Sequence, residues 1–550
     1  MIRTLNIASR RSATGLYSRL VAQTQPLSLL SPSNGCQKNH NPSVPFPALK
    51  SAHHFSSSTS SQSSSGTSAN FDHDEFTKAF LHQVRDVPFA TDPTKSSRAL
   101  RSLVKSKELM FTDMSDNPAK FFMAHRLLST VGLGGFGIRF TVQFNLFAGS
   151  LVGLAGKEQQ KMLADIQEKG QLGCFLLTEM QAGVLSGLIV ETTCTWDDEM
   201  KEFILHTPSD KAAKNWISQG YTAELGVVIA DLVIKGKSYG PHPFFLPLRD
   251  GEEGELLEGI RIDDMGTKTI ANDLDNARVW FDNVKLPKSA LLNKFADIDE
   301  NGDYVQTTDE KMRIEVIGQR LLTGRMAIAE AALLSCRVLH MRTEAYARQK
   351  ICNGLSGETT LYDMPQLKSV FDESYRELDR MIGFTAAVEK RLNNCLENGT
   401  IPDADLVDAI SVCKIRAIAV SIERAHKLRL EVGSYALMHK TGFELMDMLL
   451  CCKFAEGDSR ILQMKLMRDR LKQVKKDGVG GTIAQIFGDN REEALAALSL
   501  ARKLQVSSKQ FSKFQSNPVQ SNPIQSNPIQ STPSITNNNM CVAAGWERFG

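Results

Sequence analysis

One carboxylate in this chain has the sequence surroundings of a general base. Glu456 lies beside Gly457, just before a helical stretch. An apolar pocket raises the pKa of a carboxyl group, which lets the group accept a proton near neutral pH. A carboxylate that only stabilises the start of a helix is the simplest alternative. The residues expected to line the pocket are Met446, Met448, Leu449, Leu450, Phe454 and Ile461.

A second segment offers uncharged hydrogen-bonding groups at the end of a predicted strand. Thr178 follows a short apolar run, and Gly183 and Gly187 come soon after it. A hydroxyl group and backbone amides at a strand end can bond the nitrogens and carbonyl oxygens of a flavin ring without adding charge. Glycine lets a loop turn closely around such a ring. An ordinary strand followed by a turn explains the same residues.

Together, and in this order, the two segments resemble the acyl-CoA oxidase and acyl-CoA dehydrogenase family of flavoproteins. The resemblance covers about residues 100–475 and is strongest at 173–290 and 454–462. It includes a Thr-Glu-Met sequence, a Glu-Thr-Thr-Cys-Thr sequence and a Lys-Asn-Trp sequence that starts at Lys214. Ala455 is a departure, because the oxidases usually carry an aromatic residue there. A wider pocket or an altered acyl specificity is expected at this point.

The resemblance implies FAD as the cofactor and gives roles to individual residues. It implies that Glu456 removes the α-proton of an acyl-CoA. Thr178 and Ser218 would contact the isoalloxazine ring of FAD, and Trp216 would pack near that ring. Ser186 would line the flavin site or the acyl site.

Further residues resemble contacts of the family with the FAD diphosphate, some of which come from a neighbouring subunit. Arg348 offers a planar cation suited to a phosphate. Gly433 and Ser434 would let the backbone approach it, and Gln366 lies near another contact, where Pro365 disturbs the register. Solvated surface or simple packing is the alternative for each residue. A flavin site shared in this way implies a homodimer or homotetramer.

The function implied by the resemblance is the FAD-dependent oxidation of fatty acyl-CoA to trans-2-enoyl-CoA, the first step of β-oxidation. Oxygen would reoxidise the flavin and give hydrogen peroxide. One alternative is an acyl-CoA dehydrogenase that passes its electrons to an electron-transfer flavoprotein. The other is a noncatalytic scaffold that binds acyl-CoA or FAD.

The hydrophobic periodicity changes twice along the chain, which predicts a multidomain α+β architecture. Helical spacing gives way to short apolar or alternating runs and then returns. The central region is expected to be an antiparallel β-barrel or sandwich that binds the flavin, and the last to be a helical bundle that carries the base. The predicted parts are an N-terminal helical domain (72–172), the central β domain (173–290), a C-terminal helical domain (311–512) and a disordered repeat tail (515–550).

Residues 1–71 have the composition of a disordered transit peptide. They contain Arg and Ser but no acidic residue, since the first acid is Asp72. This composition predicts import into the mitochondrial matrix, with a plastid or the peroxisome as alternatives. The chain ends in Arg548-Phe549-Gly550, which differs from a Ser-Lys-Leu peroxisomal address,. A merely disordered tail explains the same composition.

Charge and motifs exclude several other classes of function. The formal net charge of +2 gives no reason to expect a nucleic-acid partner, and neither a transmembrane segment nor a metal site is expected. Gly132–Gly137 matches the GxGxxG pattern, but a helix precedes it where a dinucleotide site needs a strand. The acidic run at 297–303 resembles the start of an EF-hand loop, but Thr308 stands where a bidentate Glu is required,.

Overall fold

The computed structural model describes residues 71–470 and 472, apart from positions 86, 88–90, 133, 184–185, 187–188, 253, 309–317 and 356. Residues 1–70 of the predicted transit peptide, the predicted repeat tail and Gly187 lie outside the described residues. The part of the predicted C-terminal domain beyond position 472 does so too. The chain divides into two units, Met1–Asp469 and Arg470–Gly550, and the helices and strands that follow belong to the first.

The first part of the chain is helical, as predicted. Its helix starts have clear local causes: the Asp72 side chain accepts hydrogen bonds from two backbone N–H groups of the first turn, and Pro93 and Pro118 each stand in the first turn of a helix,. The helices are α1 (His73–Val84), α2 (Pro93–Ser106), α3 (Asp113–Asp116), α4 (Pro118–Val131), α5 (Gly135–Thr141), a π-helical segment (Val142–Phe147), α6 (Ala148–Leu154), α7 (Lys157–Gln160) and α8 (Met162–Lys169).

The middle part consists of strands, also as predicted. One sheet has six strands and another has three, in the order β4-β8-β7. The strands are β1 (Gly173–Leu176), β2 (Thr193–Asp197), β3 (Glu202–His206), β4 (Lys214–Ser218), β5 (Leu225–Ile234), β6 (Lys237–Pro247), β7 (Ile260–Asp264), β8 (Asn276–Phe281) and β9 (Val284–Pro287), followed by a small hairpin of β10 (Ala296–Ile298) and β11 (Tyr304–Gln306).

The six-stranded sheet is mixed, whereas an antiparallel region was predicted. Strand β5 pairs in parallel with β1 and with β2, and antiparallel with β6. Its residues are almost all buried, so both faces of the strand are covered, and this explains its nearly continuous apolar sequence. Strand direction depends on connections between distant segments, so the local alternation of residues could not reveal it.

The last part is a bundle of long helices. The described helices are α9 (Gln319–Gln349), α10 (Pro365–Glu397), α11 (Ala404–Glu431) and α12 (Met446–Phe454), and residues 459–469 are helical too. Between the helices lies a small antiparallel hairpin of β12 (Ile351–Gly354) and β13 (Gly357–Thr360). Among the described residues no helix is long and apolar enough to cross a membrane.

Candidate active site

Glu456 lies in the turn that joins α12 to the helix at 459–469. Its φ angle is 56° and that of Gly457 is 96°, so two consecutive residues have left-handed backbone. The carboxylate of Asp458 accepts a hydrogen bond from the backbone N–H of Arg460 at 2.7 Å. Asp458 therefore caps the next helix, which leaves the Glu456 carboxylate free of the capping role that was its simplest alternative.

A half-buried arginine and a buried lysine hold this turn in place. Arg325 of α9 donates its Nε–H to the backbone carbonyl of Glu456 at 2.9 Å. Lys414 of α11 donates to the carbonyl of Lys453 at 2.8 Å and to that of Gly457 at 2.7 Å. Left-handed backbone costs free energy at a residue other than glycine, so these bonds help to stabilise the conformation that presents Glu456.

The side chain of Glu456 faces an apolar cavity. The cavity has about 600 Å³ of empty space, part of it open to solvent, and helices α4, α5, α9 and α12 contribute to its wall. Residues of α12 line it at helical spacing, which places them on one face of that helix. The lining residues are His125, Leu128, Gly137, Ile138, Thr141, Val142, Ala327, Ile328, Ala331, Met448, Cys451, Cys452, Ala455 and Glu456.

Burial gives Glu456 the pKa of a base that works near neutral pH. Loss of hydration raises the pKa of Glu456 to about 7, while the charges of Arg325 and Lys414 oppose this rise. Its Oε2 atom is buried and has no hydrogen-bond partner in the described part of the chain. A buried carboxylate oxygen without a partner is positioned to accept a proton from a bound molecule.

The predicted walls of the pocket were correct only in part. Met448 lines the cavity with Glu456, but Met446 and Leu449 line a different cavity. Leu450 and Phe454 are exposed. The prediction failed because successive residues of a helix point in different directions, so neighbours of Glu456 in sequence are not all neighbours in space. Ala455 also lines the cavity, and the widening expected from it stays a prediction.

The structure brings three of the predicted flavin contacts into one region. Thr178 follows β1, and its backbone carbonyl accepts a hydrogen bond from the N–H of Asn215 in β4 at 2.8 Å. Strand β4 also carries Trp216 and Ser218. The Trp216 side chain is 57% exposed and lies where the register of β4 shifts against β8, at a φ angle of 58°. Ser218 accepts a hydrogen bond from Asn276 at 3.1 Å.

Ser186 lies in an exposed turn, where its hydroxyl exchanges hydrogen bonds with the backbone of Gly183. A Cβ atom added to Gly183 would have no atom within 4 Å. Crowding therefore does not explain this glycine, and the role predicted for Ser186 stays a prediction.

The predicted diphosphate contacts also come together. The ring of Tyr346, two residues before Arg348, stacks on Tyr435, next to Ser434, with centroids 3.8 Å apart. The guanidinium of Arg348 is bound to Glu344 at 2.6 Å and lies over the ring of Tyr362 at 3.6 Å.

Pro365 begins α10 at the position where proline is most favourable, so it fits the helix instead of disturbing it,. Gln366 is exposed in the first turn of α10. Gly433 and Ser434, beside Tyr435, are exposed as well.

The GxGxxG segment connects two helices, as predicted. The N–H groups of Gly135 and Phe136 at the start of α5 donate to the two carboxylate oxygens of Asp273, at 3.0 and 2.8 Å. A carboxylate of the chain itself therefore occupies the helix end that would hold a phosphate in a dinucleotide site.

The acidic run at 297–303 forms the β10–β11 hairpin. There the Asp299 carboxylate accepts from the N–H groups of Asn301 and Asp303. Within the described ranges, no cluster of three or more His, Cys, Asp or Glu residues could hold a metal ion.

Sequence reasoning missed the two cations that support Glu456. Lys414 had a detectable signal, because it interrupts the buried stripe of α11 beside Cys413 and Ala417, and a lysine on a buried stripe requires partners. Arg325 had no such signal. Its contact depends on packing between segments that are far apart in sequence.

Comparisons in sequence point to one group of enzymes. The chain is 27% identical over 410 residues to acyl-coenzyme A oxidase 2, peroxisomal, of Arabidopsis thaliana, which covers 71% of this chain and 58% of that protein. It is 34% identical over 211 residues to an acyl-coenzyme A oxidase of Caenorhabditis elegans. That match covers 37% of this chain and 32% of that protein. The chain thus spans less than two thirds of the length of these relatives. No family model matches it.

Comparisons of the fold also find acyl-CoA oxidases, together with an acyl-CoA dehydrogenase. Acyl-CoA oxidase 1 of Yarrowia lipolytica superposes with a TM-score of 0.63 at 20% identity and covers 76% of this chain and 65% of its own. Butyryl-CoA dehydrogenase of Megasphaera elsdenii has a TM-score of 0.55 at 18% identity. That match covers 72% of this chain and 98% of the dehydrogenase chain. At this level of identity the likeness shows the fold alone.

Proposed function

This chain has the fold of the acyl-CoA oxidases and dehydrogenases and is related in sequence to the oxidases, and from this premise we propose that it oxidises fatty acyl-CoA to trans-2-enoyl-CoA with FAD as cofactor. Oxygen is the final electron acceptor and gives hydrogen peroxide. The observation that carries the proposal is a Glu456 carboxylate at the wall of an apolar cavity. Its Oε2 atom is buried and has no hydrogen-bond partner among the described residues.

The residues of the β region fit a flavin ring. Trp216 offers an exposed indole face for stacking,. Thr178 is exposed at the end of β1, and Ser218 lies on the same strand as Trp216. Hydroxyl groups and an aromatic face suit a neutral planar ring, because they supply hydrogen bonds and contact area without charge. A structure of a Caenorhabditis elegans acyl-CoA oxidase complexed with FAD and ATP is among the fold neighbours, which further supports FAD.

The chain's own residues handle the proton and the acyl group. The Glu456 carboxylate accepts the α-proton of the thioester, and its raised pKa makes that transfer favourable near neutral pH,. The apolar wall of the cavity holds the acyl chain and excludes water. A backbone amide of the Glu456 turn would polarise the thioester carbonyl. FAD, when bound, accepts the hydride that leaves the β-carbon.

A second candidate is an acyl-CoA dehydrogenase whose acceptor is an electron-transfer flavoprotein. It is favoured by the fold, since butyryl-CoA dehydrogenase superposes on the chain with a TM-score of 0.55. Sequence similarity favours the oxidase. A homodimer or homotetramer fits both, because the exposed residues around Arg348 and Gly433 would then face the flavin of another subunit.

For the cellular location, the names of the relatives and the N-terminal composition point to different compartments. The mitochondrial matrix predicted from the sequence has no support among them, because acyl-coenzyme A oxidases 2 and 3 of Arabidopsis thaliana are both named peroxisomal. A peroxisomal location is therefore the better proposal. Fluorescence imaging of the tagged full chain, with and without residues 1–71, tests it.

The function is tested with the purified full chain. The flavin spectrum is recorded, acyl-CoAs of several chain lengths are added without oxygen, and air is then admitted. Bleaching followed by fast reoxidation and hydrogen peroxide supports the oxidase. Bleaching that persists in air until an electron-transfer flavoprotein is added supports the dehydrogenase. Absence of flavin, or of bleaching with every acyl-CoA, would leave the noncatalytic scaffold.

A further inference from the structure

His125 lines the cavity that contains Glu456 and carries a buried, unpartnered ring nitrogen. The ring of His125 lies in α4, and its Nδ1 atom is 3.0 Å from the backbone carbonyl of Phe121. Its Nε2 atom is buried and has no hydrogen-bond partner within the described residues. His125 and Glu456 both line the cavity. Buried polar atoms usually have a partner, so a bound molecule is the natural source of one here.

The hydrogen bond to Phe121 determines what Nε2 can bind. A carbonyl oxygen can only accept, so Nδ1 carries the proton. Burial lowers the pKa of His125 to about 4, and the ring is therefore neutral at physiological pH. In this tautomer Nε2 presents a lone pair and accepts a hydrogen bond. A carboxylate, which is an acceptor itself, is a poor match, whereas a hydroxyl group is a good one.

His340 also has a buried, unpartnered ring nitrogen, so this feature alone does not indicate a binding site. Its Nδ1 atom is 2.8 Å from the carbonyl of Cys336, its Nε2 atom is also buried without a partner in the described part of the chain, and burial lowers its pKa to about 4 as well. Both rings pack against aromatic side chains, His340 against Phe371 and Tyr375 and His125 against Phe121 and Phe140. His125 differs because it borders the cavity.

We propose that His125 forms a polar subsite for the acyl chain and accepts a hydrogen bond from a hydroxyl group on it. The preferred substrates are then hydroxyacyl-CoAs whose hydroxyl lies beyond the carbons that react. Thr141 also lines the cavity, and its hydroxyl donates to the carbonyl of Gly137 at 3.0 Å. Its oxygen can still accept a hydrogen bond, so a variant of His125 is needed to separate the two acceptors. This inference rests on the proposed function, because it treats the cavity as the acyl site.

The test compares acyl-CoAs of one length with the FAD-loaded full chain. One is unsubstituted, others carry a hydroxyl at successive positions distant from the thioester, and matched compounds carry a methoxy group, which cannot donate. We expect kcat/KM to be about 10-fold higher for at least one hydroxyl isomer than for the unsubstituted chain, as one additional hydrogen bond allows. The methoxy analogue of that isomer should lose the advantage.

Two variants test whether the preference for a hydroxylated substrate depends on the His125 ring. His125→Phe removes the acceptor and should bring the ratio of kcat/KM for hydroxylated and plain substrates to about 1, as expected when one hydrogen bond is lost. His340→Phe, the matched control, should keep the wild-type ratio. The proposal is overturned if no hydroxyl isomer is preferred, if the methoxy analogue performs equally, or if both variants change the ratio alike.

The outcomes separate this inference from the proposed function. A chain that oxidises plain acyl-CoA without preferring any hydroxyl isomer keeps the function and loses the subsite. If no acyl-CoA is oxidised, the function fails, and the shift in melting temperature with hydroxylated and plain acyl-CoA then decides whether His125 selects a hydroxyl. If His125→Phe does not fold, the comparison of hydroxyl with methoxy compounds on the wild-type chain is decisive.

Discussion

Gly324 of α9 lies directly against the carboxyl group of Glu456. A Cβ atom built on Gly324 would be 2.4 Å from Cδ of Glu456 and 2.6 Å from its Oε2 atom. Any side chain at position 324 would therefore have to share space with the proposed base. Glycine at this position lets the helix pass close enough to form one wall behind the carboxylate.

Gly324→Ala should displace the Glu456 carboxylate while the helix remains intact. A misplacement of about 1 Å can reduce a rate by as much as about 100-fold, so we expect kcat to fall about 10- to 100-fold. Alanine favours a helix over glycine by up to about 1 kcal/mol, so the melting temperature should change little. Steady-state oxidation and thermal unfolding measure the two effects.

The matched control is Gly383→Ala, also inside a long helix. A Cβ atom there would meet nothing within 4 Å. This variant should keep full activity and gain slightly in stability. A Gly324→Ala enzyme as active as the wild type would show that the Glu456 carboxylate does not need its present position.

Glu456→Gln should abolish proton transfer and leave the fold and the flavin in place. General base catalysis contributes about 100- to 10,000-fold, and kcat should fall by that order because glutamine has the same shape but accepts no proton. The control, Glu358→Gln, changes an exposed residue of the β12–β13 hairpin. Full turnover by Glu456→Gln would remove Glu456 as the base.

The pH dependence of the wild type follows from the same group. The base must be deprotonated to accept a proton, so kcat/KM should rise with pH through about 7, the raised pKa of Glu456. A limb near the ordinary glutamate value of 4.5 would mean that Glu456 is hydrated in the working enzyme.

Lys414→Met should move this limb to higher pH. The Lys414 charge lowers the pKa of Glu456, so its removal raises that pKa and more base is protonated at a given pH. The turn also loses the bonds from Lys414 to Lys453 and Gly457. The control is Lys427→Met, on the surface of the same helix and paired with Glu423. An unchanged pH profile would limit Lys414 to a structural role.

Trp216→Ala should weaken flavin binding without unfolding the β region, because the side chain is 57% exposed. Loss of one aromatic stacking contact, worth about 0.5–1.5 kcal/mol, predicts a dissociation constant about 2- to 13-fold higher. Fluorescence titration of the apoprotein with FAD measures it. The control is Trp280→Ala in β8, whose ring already lies under the guanidinium of Arg261 at 3.8 Å. Equal effects of both variants would contradict the stacking role.

Sequence alone was enough to predict the order of the elements and the residues most suited to chemistry. The change from helical to alternating spacing near Gly173 gave the boundary between helices and strands, since these periods follow from local backbone geometry. Glu456 and Thr178 were nominated from residue type, short-range context and the family resemblance, and their roles stay predictions. The resemblance to acyl-CoA oxidases rested on such local segments, and the sequence and fold comparisons confirmed it.

Only the tertiary structure decided what surrounds those residues. The parallel pairing of β5, the cations behind the Glu456 turn and the meeting of His125 with Glu456 in one cavity each join segments far apart in the chain. Local spacing fixes which face a side chain occupies on its own helix or strand, whereas the helix that packs against that face is set by the burial of the whole core. The environment that raises the pKa of Glu456 therefore belongs to the fold and not to the motif.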